Sequence, residues 1–581
     1  MNKDDIVIFE NPQKGMSPHP ALGIGLLRGI DIETHPGVAR LNKSMADVTD
    51  GNTFTVTIAS PGVFSATGHG LYAGVPVKFT TTGALPTGLT AGTTYYVIST
   101  GLTADAFRVS TSRGGSAVNT SGSQSGTHSF KSVTGLIYWI VRNPANGDLY
   151  ALDSAGQVHK STNGIVWAPY AGQANWGTGQ GLAIWKGYLL VARETQMDAV
   201  NLSTGTWTAS FLDTAMQSVT TSSGYFHTML PSVDDKLYIC NDRYIYLLTE
   251  ITTFDPTVAA GTNYSENATA ITLPSNHHSK CLADLGANLM VGSIFGDNFS
   301  EHKVADIFPY NRSTLTLGIP IKLGVNGVHQ LITVGNRLYA NAGLNAKLFL
   351  TDGASAVQVA EIPNYAISLA ETGARLDLYP GAITYHKGKI LFGVDNTVTV
   401  GGNVGVWSFN PSNRQLILEN IVTGTAGTGA DGSSNQVSIG ALYSLSQEEY
   451  LVGWKDYTSP ASEGIDYKSG SQFIQSYGGI IETQIPQIGT ALGKRTIQSL
   501  EFFLLKPLAS GEGIRIKYRT NLTASFTTLA TIDYATKGAV QADSIPAASI
   551  TKAYFLQTRI ELTSSGGSSP ELVRAILKPS N

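Results

Sequence analysis

The sequence predicts an all-β chain organised around a β-propeller, and three observations lead there. One pattern, an apolar strand, a tight polar turn and a second apolar strand, is written seven times between Gly135 and about Gly470. Its landmarks Leu149, Leu189, Leu237, Leu289, Leu338, Ile390 and Tyr450 follow one another at roughly 40–60 residues, the length that four short strands and their turns need in a propeller blade. Composition agrees: the chain has 63 glycines, only 14% charged residues, and no long stretch with a helical period of apolar residues.

The turns justify each hairpin. Asn146-Gly147-Asp148 stands before Leu149-Tyr150-Ala151-Leu152, and Lys186-Gly187 before Tyr188-Leu189-Leu190-Val191. Asp234-Asp235-Lys236 precedes Leu237-Tyr238-Ile239-Cys240, and Gly286-Ala287-Asn288 precedes Leu289-Met290-Val291-Gly292. Gly335-Asn336-Arg337 and Lys387-Gly388-Lys389 open the next two, and the seventh, Gln447-Glu448-Glu449, lacks the Gly or Asn of the others. Gly and Asn tolerate the positive φ that two-residue hairpins demand. A single blade cannot bury its own faces, so several must stack around an axis. Seven blades are predicted over residues 133–472, against the alternative of a β-sandwich with coincidental hairpins.

At 581 residues the chain is long enough for two to four domains. A net charge of −4 provides no global basic field for nucleic acid. Asp4 and Asp5 stand where a signal peptide would carry Lys or Arg, and Arg28 interrupts the apolar run from Ala21, so neither a leader nor a membrane span is expected. Two cysteines, Cys240 and Cys281, make no disulfide framework and point to synthesis in a reducing cytoplasm. Cys240, within a blade strand, reads as a small buried hydrophobe.

Taken in order, residues 1–50 form an extended arm whose Pro12, Pro18, Pro20 and Pro36 forbid a continuous helix. Leu26–Glu33 and Gly37–Leu41 are its candidate strands, and packing on another domain or subunit would order it. Residues 51–132 form a separate module with strands at Phe54–Ile58, Pro76–Phe79, Tyr95–Ile98 and Ala106–Val109, divided by Gly- and Thr-rich turns. Gly114–Ser125 reads as a loop. Long insertions leave the propeller near Thr252–Thr272 and Asn420–Val437. Residues 473–581 form a last β domain, a C-terminal β-sandwich of jelly-roll type. Its strands alternate at Arg495–Phe503, Ile514–Arg519 and Phe555–Leu562, and Leu572–Leu577 supplies the final one.

Within the second module, Ala66-Thr67-Gly68-His69-Gly70-Leu71, Gly92-Thr93-Thr94-Tyr95-Tyr96-Val97-Ile98 and Phe107-Arg108-Val109-Ser110 resemble the small β-barrel modules inserted in many phage virion proteins. Those modules are similar to a half-domain of ubiquitin-activating enzymes. No cysteine precedes Cys240, so none of that enzyme's thiol chemistry is available, and the resemblance implies a spacer or surface module. Gly29-Ile30-Asp31-Ile32-Glu33 with Pro36-Gly37-Val38 is similar to the opening of some phage tail structural proteins, in which a leader precedes such a module and a propeller. The last domain is similar in character to the platform-like C-terminal domains of phage tail proteins.

Several motifs invite a chemical reading, and each has a structural one. Ser161-Thr162-Asn163-Gly164-Ile165-Val166-Trp167 resembles the Asp-box turn of sialidase-like propellers, one residue short and with Asn for Asp. It reads as a structural corner, because a sialidase also needs an arginine cluster, a tyrosine nucleophile and several boxes. His277 and His278, with Cys281 nearby, offer nitrogen and sulfur, but adjacent residues of a strand face opposite ways and rarely share one metal ion. Asp431 in its Gly-rich loop and Asp297-Asn298 lack the oxygen ligands calcium requires. Gly177-Thr178-Gly179-Gln180-Gly181 leads into a strand, not the helix a phosphate loop needs. Trp167, Tyr170, Trp176 and Trp185 crowd one predicted blade, as core or as a sugar-stacking surface.

No catalytic, cofactor or metal residue is therefore assigned, and no enzyme activity is expected. The resemblance implies a structural virion protein of a tailed phage, similar to the propeller-containing tail nozzles of short-tailed phages. It would assemble in the host cytoplasm into a ring, hexameric by that resemblance, with a trimer as the alternative. Its partners would be other tail proteins (adaptor and fibres), DNA passing through a channel without specific binding, and a host surface glycan or protein. A receptor-binding or tail-fibre protein is the first alternative. A carbohydrate-active propeller enzyme, which would need paired carboxylates, is the second.

Overall fold

The computed structural model describes residues 6–10, 24–34, 37–49, 52–212, 216–217, 224–296, 304–343, 346–362, 378–395, 405–420, 422, 437–457, 462–474, 478–483, 496–520, 525–547, 550 and 556–579. Antiparallel meanders follow one another along residues 137–169, 179–212, 229–272, 277–317, 328–360 and 383–420, four strands to each (blades 1 to 6), and Ile321–Lys322 adds a fifth strand to blade 4. A seventh, 437–473, supplies three strands and takes its fourth from Lys43–Asp47. The inner strand of each blade packs on the inner strand of the next, and that of the seventh on that of the first, so the ring closes. The fold is a β-propeller.

Local chemistry explains the blades. At Lys186-Gly187 (φ 51° and 80°) and Lys387-Gly388 (φ 48° and 80°) both turn residues are left-handed, the geometry that joins two twisted strands through two residues. Each blade buries its faces only against its neighbours: Leu190, Ala192 and Ala199 of blade 2 pack with Leu237, Ile239 and Leu248 of blade 3. At single points the inner strands approach so closely that a side chain is excluded. A Cβ on Gly440 would stand 2.1 Å from the Ile137 carbonyl oxygen, across the junction of the seventh blade and the first.

Between Lys43–Asp47 and blade 1 the chain makes a closed six-stranded barrel. Phe54, Phe64, Phe79, Phe107 and Phe130 fill it, with Phe64 stacked on Phe79 at 5.0 Å and on Phe107 at 5.1 Å. Two of its strands, Phe64–Ser65 and His128–Lys131, are too short to show as an alternating pattern. The barrel is fastened to the propeller. Lys78 Nζ donates to Glu463 Oε1 at 2.5 Å, Lys131 Nζ to the Glu463 carbonyl at 2.6 Å, and Gln157 Nε2 to the Tyr72 hydroxyl at 3.0 Å. The Arg113 guanidinium lies 3.7 Å over the Trp176 ring.

The first fifty residues differ from the expected arm. Ile6–Glu10 pairs with Leu572–Pro579, and Ile24–Arg28 lies between Gly479–Thr483 and the outer strand of blade 6. Gly29 (φ 61°) breaks the single strand expected over Leu26–Glu33, and Ile30–Asp31 pairs instead with Arg40–Leu41. Lys43–Asp47 completes blade 7. The edge strands of two modules present unpaired backbone groups, and this segment satisfies them.

The C-terminal domain is a sandwich of two sheets. One contains Ile497–Leu504, Ala542–Pro546 and Leu572–Pro579; the other contains Gly479–Thr483, Gly513–Arg519, Thr527–Asp533 and Gln557–Thr563. Through Ile24–Arg28 the second sheet is continuous with blade 6, giving nine strands. One hydrophobic core runs from Phe392, Trp407 and Leu418 of blade 6 to Leu500, Ile514 and Leu577 of the sandwich. The insertion expected over Thr252–Thr272 is shorter, because Tyr264–Thr272 is the outer strand of blade 3. Most of Asn420–Val437, including Asp431, lies outside the described residues, as do Asp297 and Asn298. Among the described residues the helix Tyr534–Lys537 has four residues, and no helix is long and apolar enough to cross a membrane.

Two predictions follow from this packing. Gly440→Ala should cost about 1–3 kcal/mol in chemical unfolding, because the backbone at Ile137 must move. Gly567→Ala, whose Cβ meets nothing within 4 Å, should stay within about 0.5 kcal/mol. Lys78→Met should lower stability by about 3 kcal/mol by leaving the fully buried Glu463 carboxylate without its ammonium, and adding Glu463→Gln should recover much of the loss. A double variant no more stable than Lys78→Met alone would show that the pair does not couple barrel to propeller.

Candidate functional site

A strongly charged recess lies between blades 6 and 7, beneath the hairpin of Ile30–Asp31 and Arg40–Leu41. Its volume is about 490 Å³. Blade 6 contributes His386 and Lys387 at its inner hairpin, Lys389 at the start of its second strand and Glu419 on its outer strand. The seventh blade contributes Tyr450 and Lys468, which face each other across adjacent strands, and Lys43 from its closing strand. Five cations (Arg40, Lys43, Lys387, Lys389, Lys468) and four carboxylates (Asp31, Glu33, Glu419, Glu448) line it.

Most of this charge is internally matched. Lys389 Nζ bridges Glu419 Oε1 at 2.7 Å and Glu33 Oε2 at 2.8 Å. Ser408 Oγ donates to Glu419 Oε1 at 2.7 Å, and Asn42 Nδ2 to Oε2 at 2.6 Å. Burial works against the Glu419 charge, but Lys389 and Lys468 outweigh it and hold the carboxyl at about 2. Asp31 is also held at about 2: burial opposes this, and hydrogen bonds from Thr34 and Glu33 with the charge of Arg40 prevail. Burial likewise opposes the charge on Lys389, whose pKa its two carboxylates nevertheless raise. A general acid for glycoside cleavage needs a raised carboxyl pKa, and neither Asp31 nor Glu419 has one. Instead, Lys389 and Glu33 fasten the N-terminal hairpin to blade 6.

Two groups are held differently. His386 is 6% exposed, shares a 2.9 Å hydrogen bond through Nδ1 with Ser444 Oγ, and meets the Tyr450 ring edge-on at 5.3 Å. Burial, then Lys468, Lys389 and Lys387, depresses its pKa to about 4. The Lys468 ammonium stands 4.9 Å over the Tyr450 ring, with no carboxylate within ion-pair distance among the described residues. Sequence reasoning missed this cleft because its residues come from strands more than four hundred positions apart. The one visible signal was the basic hairpin His386-Lys387-Gly388-Lys389 in a chain of net negative charge.

The residues flagged from sequence fall elsewhere. Ser161 Oγ accepts from Gly164 N at 2.9 Å, Asn163 Oδ1 accepts from Ile165 N and Val166 N at 2.9 and 3.0 Å, and Trp167 Nε1 donates to the Gly164 carbonyl at 3.0 Å. The motif is a self-bonded corner whose Trp packs against the seventh blade. The four aromatic residues do not share one blade. Trp167 and Tyr170 belong to blade 1, Trp185 opens the junction of blades 2 and 3, and Trp176 carries Arg113 of the barrel. His277 Nδ1 meets Ser293 Oγ at 3.2 Å, whereas His278 Nδ1 bonds Asp242 and stacks on Tyr225 at 4.6 Å. Among the described residues no three His, Cys, Asp or Glu side chains gather as a metal site. Cys240 and Cys281 are free and buried, and burial pushes the Cys240 thiol up to about 12. Gly179 and Gly181 lie in the inner strand of blade 2. At the axis, Tyr138 of blade 1 meets Phe226 at 5.2 Å and Tyr379 at 5.3 Å, the latter two from the chain entering blades 3 and 6. Rings from non-adjacent blades meet across the axis, and this trio lies there.

No family model and no curated protein matches the chain. Among solved structures, the Cps50 (Swd1) β-propeller domain of Myceliophteria thermophila is similar with a TM-score of 0.38 and 11% identity, over 58% of this chain and 96% of that one. The Dos1 propeller gives 0.37 and 11%, over 58% and 93%. The computationally designed Ika8 protein gives 0.30 and 10%, over 60% and 93%. These likenesses concern the fold and extend to no activity.

The depressed His386 sets a pH dependence. Above about pH 6.5 the group is neutral in both folded and unfolded chains and costs nothing. As pH falls from 6.5 to 4 the unfolded chain takes up a proton that the folded one refuses, so stability should fall by about 2–3 kcal/mol across that window. Glu419 adds a second loss between its ordinary value of 4.5 and about 2. Unfolding titrations on His386→Asn should lack the first loss and keep the second; an unchanged profile would place the acid sensitivity elsewhere.

Proposed function

We propose that this chain is a structural component of a phage tail, a nozzle or tail-tip subunit forming part of the wall of the DNA ejection channel. The observation that carries the reading is how the first fifty residues are used. Ile6–Glu10 belongs to the sandwich, Ile24–Arg28 joins the sandwich to blade 6, and Lys43–Asp47 closes the propeller before the chain enters the barrel. A body interlaced in this way moves as one piece, which suits a part that must hold its shape while DNA is driven past it. The resemblance of Ala66–Leu71, Gly92–Ile98 and Phe107–Ser110 to barrel modules of phage virion proteins supplies the phage context.

In this reading the channel is the space enclosed by several copies, since Tyr138, Phe226 and Tyr379 meet across the propeller's own axis. A basic lining would retain phosphate and oppose sliding; a net charge of −4 with few charged residues suits a neutral to acidic wall. Because the described parts of the N-terminal segment are committed within the chain, the contacts between copies fall to the outer faces of the blades and the sandwich. Exposed Leu315, Ile319 and Val357, on the rims of blades 4 and 5, are apolar surface of that kind. Mass measurement of the assembled particle, with the symmetry of the tail from electron cryomicroscopy, tests the proposal. A closed hexameric ring coaxial with the tail is expected, and a trimer projecting sideways would replace the nozzle with a receptor-binding fibre.

A further inference from the structure

We propose that the cleft between blades 6 and 7 binds a small organic anion of monosaccharide size, with Lys468 pairing its acidic group. This goes beyond the tail reading and does not depend on it. The first ground is Lys468 itself. Its ammonium is half-buried over the face of Tyr450, and among the described residues no carboxylate or hydrogen-bond acceptor pairs with it, so it can take an anionic partner from a guest. The nearest opposite charges are already engaged: Glu419 with Lys389, Ser408 and Asn42, and Asp31 with Arg40 and Thr34. Burial pushes the Lys468 pKa down, and the attraction of Glu419 does not restore it.

The second ground is local charge. The chain as a whole is acidic, yet the cleft holds one cation more than it holds carboxylates. An incoming monoanion brings the lining to neutrality, whereas a cation or a neutral guest leaves Lys468 uncompensated. The third ground is size. A volume of about 490 Å³ lies within the range of small-molecule pockets and far exceeds what one inorganic ion fills. Ile32, Leu391, Ile417 and Tyr450 form its buried floor, while Thr34, Lys387 and Glu448 at its exposed edge offer donors and acceptors to hydroxyl groups. A sugar acid has both parts, an acidic group for Lys468 and hydroxyl groups for that edge.

The test uses the full chain at pH 7 and constant ionic strength, with sodium glucuronate, glucose and sodium phosphate as probes. Glucuronate should bind in calorimetry and raise the unfolding midpoint as its concentration grows. Glucose lacks the charge and phosphate lacks the body, so each should bind at least tenfold more weakly. Lys468→Met should weaken glucuronate binding at least tenfold, with circular dichroism of the free variant showing that it remains folded. Lys468→Arg should retain binding. Saturation-transfer NMR on glucuronate with the unaltered chain gives a readout independent of any variant. Absence of glucuronate binding, equal binding of phosphate or glucose, or full binding by Lys468→Met would each overturn the proposal.

Discussion

The pairing of Lys43–Asp47 with the last strand of blade 7 is the constraint on which the rest depends. Asp47 stands opposite Asp466, Ala46 opposite Tyr467 and Met45 opposite Lys468, and the Val48 amide extends the ladder by donating to the Ile465 carbonyl at 2.9 Å. Without this strand the seventh blade has three strands and an open edge facing water. With it, the beginning of the chain and residue 473 are brought together. The barrel must then leave from the junction of the seventh blade and the first, and the sandwich must lie beside blade 6. The charged cleft is a product of the same closure, because Lys43 and Lys468 meet there only when the strand is in register.

Charge is scarce in this chain, and although buried pairs such as Arg193 with Asp198 lie within one sheet, others lie where modules meet. Lys78 with Glu463 joins barrel to propeller, and Lys389 with Glu33 and Glu419 joins the N-terminal hairpin to blade 6. Buried pairs of this kind add little net stability over apolar packing, yet breaking one is expensive because a lone charge remains. Their effect is to disfavour every arrangement in which the modules meet differently. The apolar clusters between blades supply the adhesion and the ion pairs select the geometry.

A smaller regularity recurs around the ring. The apolar second strand of most blades ends in a buried polar residue: Asp153, Arg193, Asn241, Asn341, Asp395 and Asp456. Several tie down the chain between strands or blades. Asp153 Oδ1 accepts from Gln157 N at 2.8 Å, Asn241 Oδ1 from Gln217 N at 2.7 Å, and Asp395 Oδ1 from Ile439 N at 2.5 Å. Chain that changes direction inside a protein leaves amides unpaired, and a short polar side chain at a fixed register answers them. The residues stand in plain view after each apolar run, but nothing local says that they are buried.

The sequence by itself determined the features whose physics is local. Lys186-Gly187 and Lys387-Gly388 dictate tight hairpins through backbone geometry, the spacing from Leu149 to Tyr450 dictates repeated sheets, and the Ser161–Trp167 corner bonds to itself. The five phenylalanines of the barrel and the alternation at Ile514–Arg519 belong here too, since a period of two reports a strand with one buried face. What only the tertiary structure decided were relations between distant segments. Among these are the use of the expected arm as edge strands, the placing of Trp167 and Trp185 on different blades, and the meeting of Asp31, Lys389, Glu419 and Lys468 in one cleft. Pattern reveals which side of a strand seeks burial, but the partner that provides it is fixed by ring closure, where segments more than four hundred residues apart hydrogen-bond. For that reason the fold could be read along the chain, and the cleft could not.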